Sequence, residues 1–169
     1  WIGWSGRILD FPSNRARRSE EDGVEFALTD YSRDQFDGFY LGYSNSVLWP
    51  VMHNRIDLAV FDSAFYRFYV EINEKFAEIV RRQADETDTV WVHDYHFLLL
   101  GDILREEGWQ GKCGFFLHIP FPAPEVFRAI PEHRKLARGL CAYDVVGLQC
   151  RKDLANLAQY LEEEFGAEE

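Results

Sequence analysis

Two short apolar runs that stop abruptly constrain this chain most. One is Thr89-Val90-Trp91-Val92, which gives way to His93-Asp94-Tyr95-His96. The other is Gly114-Phe115-Phe116-Leu117, which gives way to His118-Ile119-Pro120-Phe121-Pro122. A helical pattern over 97–107 lies between them. Strand, helix, strand is the repeat unit of a parallel sheet. A third run, over 144–148, extends it, and consecutive apolar residues in each run predict burial on both faces. The expected fold is α/β, a Rossmann-like parallel sheet with flanking helices. Ligands of such sheets gather outside the carboxyl ends of the strands. Asp94, His96 and His118 all fall at such ends, so one pocket lined by a carboxylate, imidazoles and aromatics is expected.

The rest of the chain fits the same alternation. Helices are expected over 96–107, 124–130, 133–142 and 152–165, the first closed by Gly108 in the left-handed conformation. Asp62 or Ser63 opens the longest pattern, in which Phe65, Phe68, Tyr69, Ile72, Phe76, Ile79 and Val80 recur at helical spacing. Ser32 caps a helix over 33–43. A second, shorter helix over 45–54 is interrupted by Pro50. Residues 24–28 alternate like a half-buried strand, and 1–6 read as a strand end. The polar stretch 7–23 reads as a surface loop, and 166–169 as a frayed end.

Several residues have the chemistry for a site. An ionised Asp94 at a strand end accepts hydroxyl hydrogen bonds, which suits a sugar; it serves equally as the cap of the following helix. His118 can donate to a substrate hydroxyl or phosphate, or be satisfied by backbone; beside Asp94 the functional reading gains. Tyr40, Tyr43, Asn45, Trp49 and His53 form an aromatic and polar group that could stack on sugar rings or build helix core. His93, Asp94 and His96 lack the spacing of a metal site, because strand alternation sends His93 and Asp94 to opposite faces. No Gly-x-Gly-x-x-Gly, Walker-type loop or Gly-x-Ser-x-Gly elbow is present.

The net charge of −11 argues against nucleic acid and anionic membranes as partners. Arg15, Arg17 and Arg18 are followed at once by Glu20, Glu21 and Asp22, which reads as a solvated loop. No apolar run approaches the ~20 residues of a membrane span. Three cysteines without metal spacing suggest reduced thiols and a cytoplasmic protein. The chain starts at Trp1 with no signal pattern, which suggests a fragment.

Trp1-Ile2-Gly3-Trp4-Ser5-Gly6, Tyr43-Ser44-Asn45-Ser46-Val47-Leu48-Trp49-Pro50, Val92-His93-Asp94-Tyr95-His96 and Gly114–Pro122 together resemble the trehalose-6-phosphate synthases, glycosyltransferase family 20. They occur in that family's order and approximate spacing, and the resemblance spans nearly the whole chain. It implies the GT-B architecture, two Rossmann-like domains with the active site in the cleft between them. Residues 1–169 would be a partial N-terminal, acceptor-binding domain, without its first strand and without the C-terminal donor domain. The implied reaction moves glucose from UDP-glucose to glucose 6-phosphate with retention, giving α,α-trehalose 6-phosphate. No metal or other cofactor is implied. The resemblance leaves room for a homo-oligomer.

By the same resemblance, Tyr40, Trp49 and Asp94 hold the acceptor, His118 contacts the donor sugar, and Trp49 and Ile119 bear on the acceptor anomer. Asp94 and His118 are the catalytic candidates. Departures are Phe97, Gly101, and Leu148 with Cys150 where the family has Gly-Phe-Gln-Thr. The alternatives are a sister transferase acting on another phosphorylated acceptor, such as glycerol 3-phosphate or a cyclitol phosphate, and a non-catalytic sugar-phosphate sensor. The missing elements also imply that the chain alone is inactive, and marginal or prone to aggregate.

Overall fold

The computed structural model describes residues 1–166. β1 (Ile2–Ile8) pairs in parallel with β3 (Val24–Tyr31), and β2 (Arg17–Glu21) pairs antiparallel on the other side of β3. The stretch expected as a surface loop over 7–23 therefore contains an edge strand. Its residues, Arg17-Arg18-Ser19-Glu20-Glu21, are all exposed, so no apolar alternation marks it. The turn does: Asp22 and Gly23 both have positive φ, 53° and 78°, the geometry of a two-residue hairpin.

The second sheet is wholly parallel, in the order β4 (Thr89–His93), β5 (Lys112–Phe116), β6 (Val145–Gly147). The β-α-β reading holds, with β5 ending earlier than expected. Leu117 still donates to the Gly147 carbonyl, but Pro120 and Pro122 have no N–H to continue the ladder.

Residues 33–52 form one continuous helix, α1, in place of two. Ser32 and Gln35 cap it reciprocally. Its middle, Phe36–Leu48, is wound as a π-helix between the α-helical turns Arg33–Gln35 and Trp49–Met52. Pro50 does not interrupt it. The carbonyl that Pro50 leaves free four residues back, Ser46, accepts instead from Val60 N–H at 2.8 Å. The expected long helix is α2 (Ser63–Gln83), and it buries Tyr69, Ile72, Phe76, Ile79 and Val80 as its spacing required.

Beyond β4, a single 3₁₀ turn (Tyr95–Phe97) precedes α3 (Leu100–Glu106), so the helix expected over 96–107 starts late. Gly108 follows with φ 88°, the left-handed residue expected there. Then come α4 (Pro124–Phe127), α5 (His133–Cys141) and α6 (Arg151–Phe165). Of the expected frayed end, Gly166 closes α6 with φ 73°, and 167–169 lie outside the described residues.

The crossovers pack on the sheet face that carries Val92 and Phe115, both buried. The opposite face differs from the expectation of two-sided burial. Trp91, Gly114 and Val145 are register partners on it; the Trp91 ring lies across Gly114, yet Trp91 is 47% and Val145 55% exposed. Open parallel sheets are ordinarily covered on both faces, and an uncovered apolar face is an aggregation liability. The chain by itself is expected to self-associate and to melt broadly. Light scattering with a thermal scan checks this, and a monodisperse monomer with a sharp, reversible transition would refute it.

Candidate functional site

The site forms where β4 and β5 end. Asp94 directly follows β4 with φ 73° and ψ 169°, a backbone conformation normally reserved for glycine. Its N–H donates to the Phe116 carbonyl at 2.8 Å, prolonging the ladder. Its Oδ1 accepts from Tyr95 N–H at 3.0 Å and from His118 N–H at 3.2 Å. One carboxylate oxygen thus joins the two strand ends, while Oδ2 makes no hydrogen bond among the described residues. Asp94 is the cap of a helical turn, one of the two readings the sequence left open.

The segment 95–99 is held from below, which lets the strained residue persist. The buried Tyr69 hydroxyl donates to the Tyr95 carbonyl at 2.7 Å and accepts from Leu98 N–H at 3.0 Å. Asn73 Nδ2 donates to the His96 carbonyl, and the Tyr143 hydroxyl to that of Phe97. α2 and Tyr143, just beyond α5, therefore fix the loop through its backbone.

α1 supplies the facing wall. In an α-helix of 3.6 residues per turn, Tyr40 and Trp49 are about two and a half turns apart and point oppositely. The wider π winding changes the phase: with i→i+5 bonding, Phe36, Tyr40, Asn45 and Trp49 fall about one turn apart each, along one face. For Tyr40 and Asn45, contacts with segment 95–96 bear this out. Tyr40 stacks on Phe36 at 5.3 Å and on His96 at 5.8 Å, with an 11° tilt to His96. Asn45 Oδ1 accepts from the Tyr95 hydroxyl at 2.9 Å. Trp49 is 41% exposed, with its ring stacked on His53 at 4.1 Å. Tyr43 leaves the group for the core, where its hydroxyl donates to Glu132.

Asp94, Tyr40, His96 and His118 are thus brought around the two strand ends. Trp49 lies further along the same helix face, and Ile119 packs partly buried against the core. Tyr95 is the residue that sequence reasoning missed as a site element. It stands between two histidine motif positions, and an aromatic there reads as core; burial, with Asp94 and Tyr40 close by, pushes its hydroxyl up to about 12. Among the described residues, no group of three His, Cys, Asp or Glu side chains converges as a metal site would require.

His96 is half-buried, and its Nε2 is out of reach of solvent without a hydrogen-bond partner among the described residues. Burial holds its pKa below the usual 6.5, with Asp94 pulling the other way. The folded pKa lies below the unfolded one, so the unfolded chain takes up this proton first. Stability is then complete above pH 6.5 and is lost as pH falls from there toward the folded value. His133, also lowered by burial, adds a slope of the same sign. Urea midpoints for the protein carrying this chain are expected to fall between about pH 7 and pH 5.5, less steeply in His96→Asn. An equal slope in both would remove His96 from the account.

Fold and candidate site together define an α/β domain of the Rossmann type, with the candidate site at the carboxyl edge of a parallel sheet. The family model described as glycosyltransferase family 20 matches residues 1–164, and the chain belongs to that family. Trehalose-6-phosphate synthase of Sodalis glossinidius is 37% identical over 153 residues, 90% of this chain and 32% of that protein. The Enterobacter sp. (strain 638) protein of the same name is 39% identical over 155 residues, with the same coverage. Among solved structures, the UDP-forming α,α-trehalose-phosphate synthase of Burkholderia vietnamiensis superposes with a TM-score of 0.95 at 39% identity, over 98% of this chain and 36% of that one. The corresponding Burkholderia xenovorans enzyme, solved with glucose-6-phosphate, gives 0.92 at 38% identity, over 97% and 36%. A trehalose-6-phosphate synthase studied for glycosyltransfer with retention gives 0.91 at 35%, over 96% and 36%. The chain spans about a third of the length of the curated relatives it matches. No helix among the described residues is long and apolar enough to cross a membrane.

Proposed function

We propose that the chain is the acceptor-binding part of a retaining hexosyltransferase that moves glucose from UDP-glucose to glucose 6-phosphate, giving α,α-trehalose 6-phosphate and UDP. Asp94 carries the reading. A carboxylate held in a glycine-like conformation, with one oxygen committed to backbone and the other unpaired among the described residues, is shaped to accept hydroxyl hydrogen bonds from a sugar. Tyr40 and Trp49 offer aromatic surface along one face of α1 to the same acceptor. Ile119 bears on which anomer fits, and His118 faces the donor sugar.

A donor-binding domain of the same polypeptide closes the cleft and brings the nucleotide contacts; the share of each relative that the chain leaves uncovered supports this. The protein is cytoplasmic and works without a metal or other cofactor. The work of this half is positioning. Asp94 orients the acceptor hydroxyls, and donors at the strand ends stabilise charge that develops on the leaving group.

The test offers UDP-glucose to the enzyme that carries this chain, with glucose 6-phosphate, glycerol 3-phosphate or no acceptor, and follows UDP release. Release with glucose 6-phosphate alone is expected. Release with another acceptor would keep the donor class and overturn the product, and no release would favour a sugar-phosphate sensor.

A further inference from the structure

Two histidines meet across the ends of β4 and β5, and only one of them faces outward. His93 closes β4 on the same sheet face as Trp91, and Trp1 stacks on it at 6.1 Å. His118 stands two residues beyond the end of β5 and is exposed. Their rings lie 5.2 Å apart with a 29° tilt, and His93 Nδ1 is 2.9 Å from His118 Nε2.

The backbone of His118 is already fixed from both sides. Its N–H donates to Asp94 Oδ1, and its carbonyl accepts from the Gln149 side chain beyond β6. What remains free is the ring. Phe116 lies against one side at 4.8 Å, and the bond to His93 sets the rotation. A hydrogen bond between two neutral imidazoles needs one donor and one acceptor, so the state of His93 dictates which nitrogen of His118 carries the proton. That bond also uses up Nε2.

We propose that His93 is a positioning residue for His118, and that the pair presents Nδ1 of His118, not Nε2, to the bound donor sugar. The proposal deepens the reading of His118 given above and rests on it. Its logic is that of histidine ligands whose second nitrogen is tied to a partner that selects tautomer and orientation.

The enzyme carrying this chain tests it with paired substitutions. An asparagine amide overlays the position of Nδ1, and a glutamine amide that of Nε2. His118→Asn is therefore expected to keep about tenfold more kcat/KM for UDP-glucose than His118→Gln. His93→Phe should lower the same parameter by about tenfold to a hundredfold, chiefly in kcat, with the melting temperature of the parent. His93→Asn, which keeps a polar group at the Nδ1 position, should recover most of the loss. In ¹⁵N-histidine spectra, His118 should show a single tautomer in the parent and a mixture in His93→Phe. A glutamine variant better than the asparagine one overturns the proposal, as does a His118 spectrum unaltered by His93→Phe. If the parent turns over no nucleotide sugar, the functional reading fails by itself, and the spectra alone decide whether the pair exists.

Discussion

Asp94→Ala in the enzyme that carries this chain is expected to lower kcat/KM for glucose 6-phosphate by about 10²–10⁴-fold while the donor KM holds. Each hydrogen bond from a hydroxyl to an ionised carboxylate contributes about 1.5–3 kcal/mol, and a sugar can offer two, so about 3–6 kcal/mol is at stake. The stability of the variants adds an independent signature. Asp94 sits at φ 73°, ψ 169°, where a side chain costs about 1–3 kcal/mol. Asp94→Ala and Asp94→Gly both lose the bonds from Tyr95 and His118, but only glycine relieves the backbone. The glycine variant should therefore be the more stable of the two, the reverse of the usual order. Steady-state kinetics with acceptor varied, and denaturant melts of both variants, check the two halves. Unchanged acceptor kinetics would reduce Asp94 to a cap between strand ends.

The second large effect is structural. Gly139 of α5 packs against the loop that carries the site. A Cβ there would stand 2.1 Å from the Leu98 carbonyl oxygen, 3.0 Å from its carbon and 3.1 Å from Leu99 Cα. All three are backbone atoms, so no rotamer change relieves the clash; either α5 or segment 95–99 must move. Overpacking a core ordinarily costs about 1–3 kcal/mol, and a backbone collision belongs at the upper end. At about 2–4 °C per kcal/mol for a domain of this size, Gly139→Ala should lower the melting temperature by roughly 6–12 °C. It should also weaken acceptor binding, since Asp94 takes its position from the same loop. A melting temperature within a degree of the parent would mean that the helix crossing is looser than described.

Much of this was legible because apolar runs and strand ends are strong signals. The continuous runs at 89–92 and 114–117 specified parallel strands, and the residues that stop them carry Asp94 and His118, which the structure brings into contact through the His118 N–H. Three things were not legible. β2 has five exposed polar residues and no alternation, and only the Asp22-Gly23 turn marks it. Pro50 looked like a break because its effect depends on a distant donor, Val60, which local sequence does not reveal. Tyr95 was passed over as a site residue because an aromatic beside the Asp94 and His96 positions carries no signal of its own in the sequence, and the Asn45 contact is what draws it into the group. The open face at Trp91 and Val145 was misjudged for a related reason: a run of apolar residues states a demand for cover, not its source.

The winding of α1 has a consequence for how this wall of the site can change. Because Tyr40, Asn45 and Trp49 share a face only through the π phase, their alignment is a property of residue count. Substitutions can alter what each position offers, but none can rotate one relative to another. Loss of a single residue between 41 and 44 would let the helix relax to α geometry and leave Trp49 about 80° away from Tyr40 around the axis, with every side chain of the wall intact. Variation in this wall is therefore quantised: it proceeds by exchange of side chains within a fixed frame, or by insertion and deletion that reset the frame at a stroke.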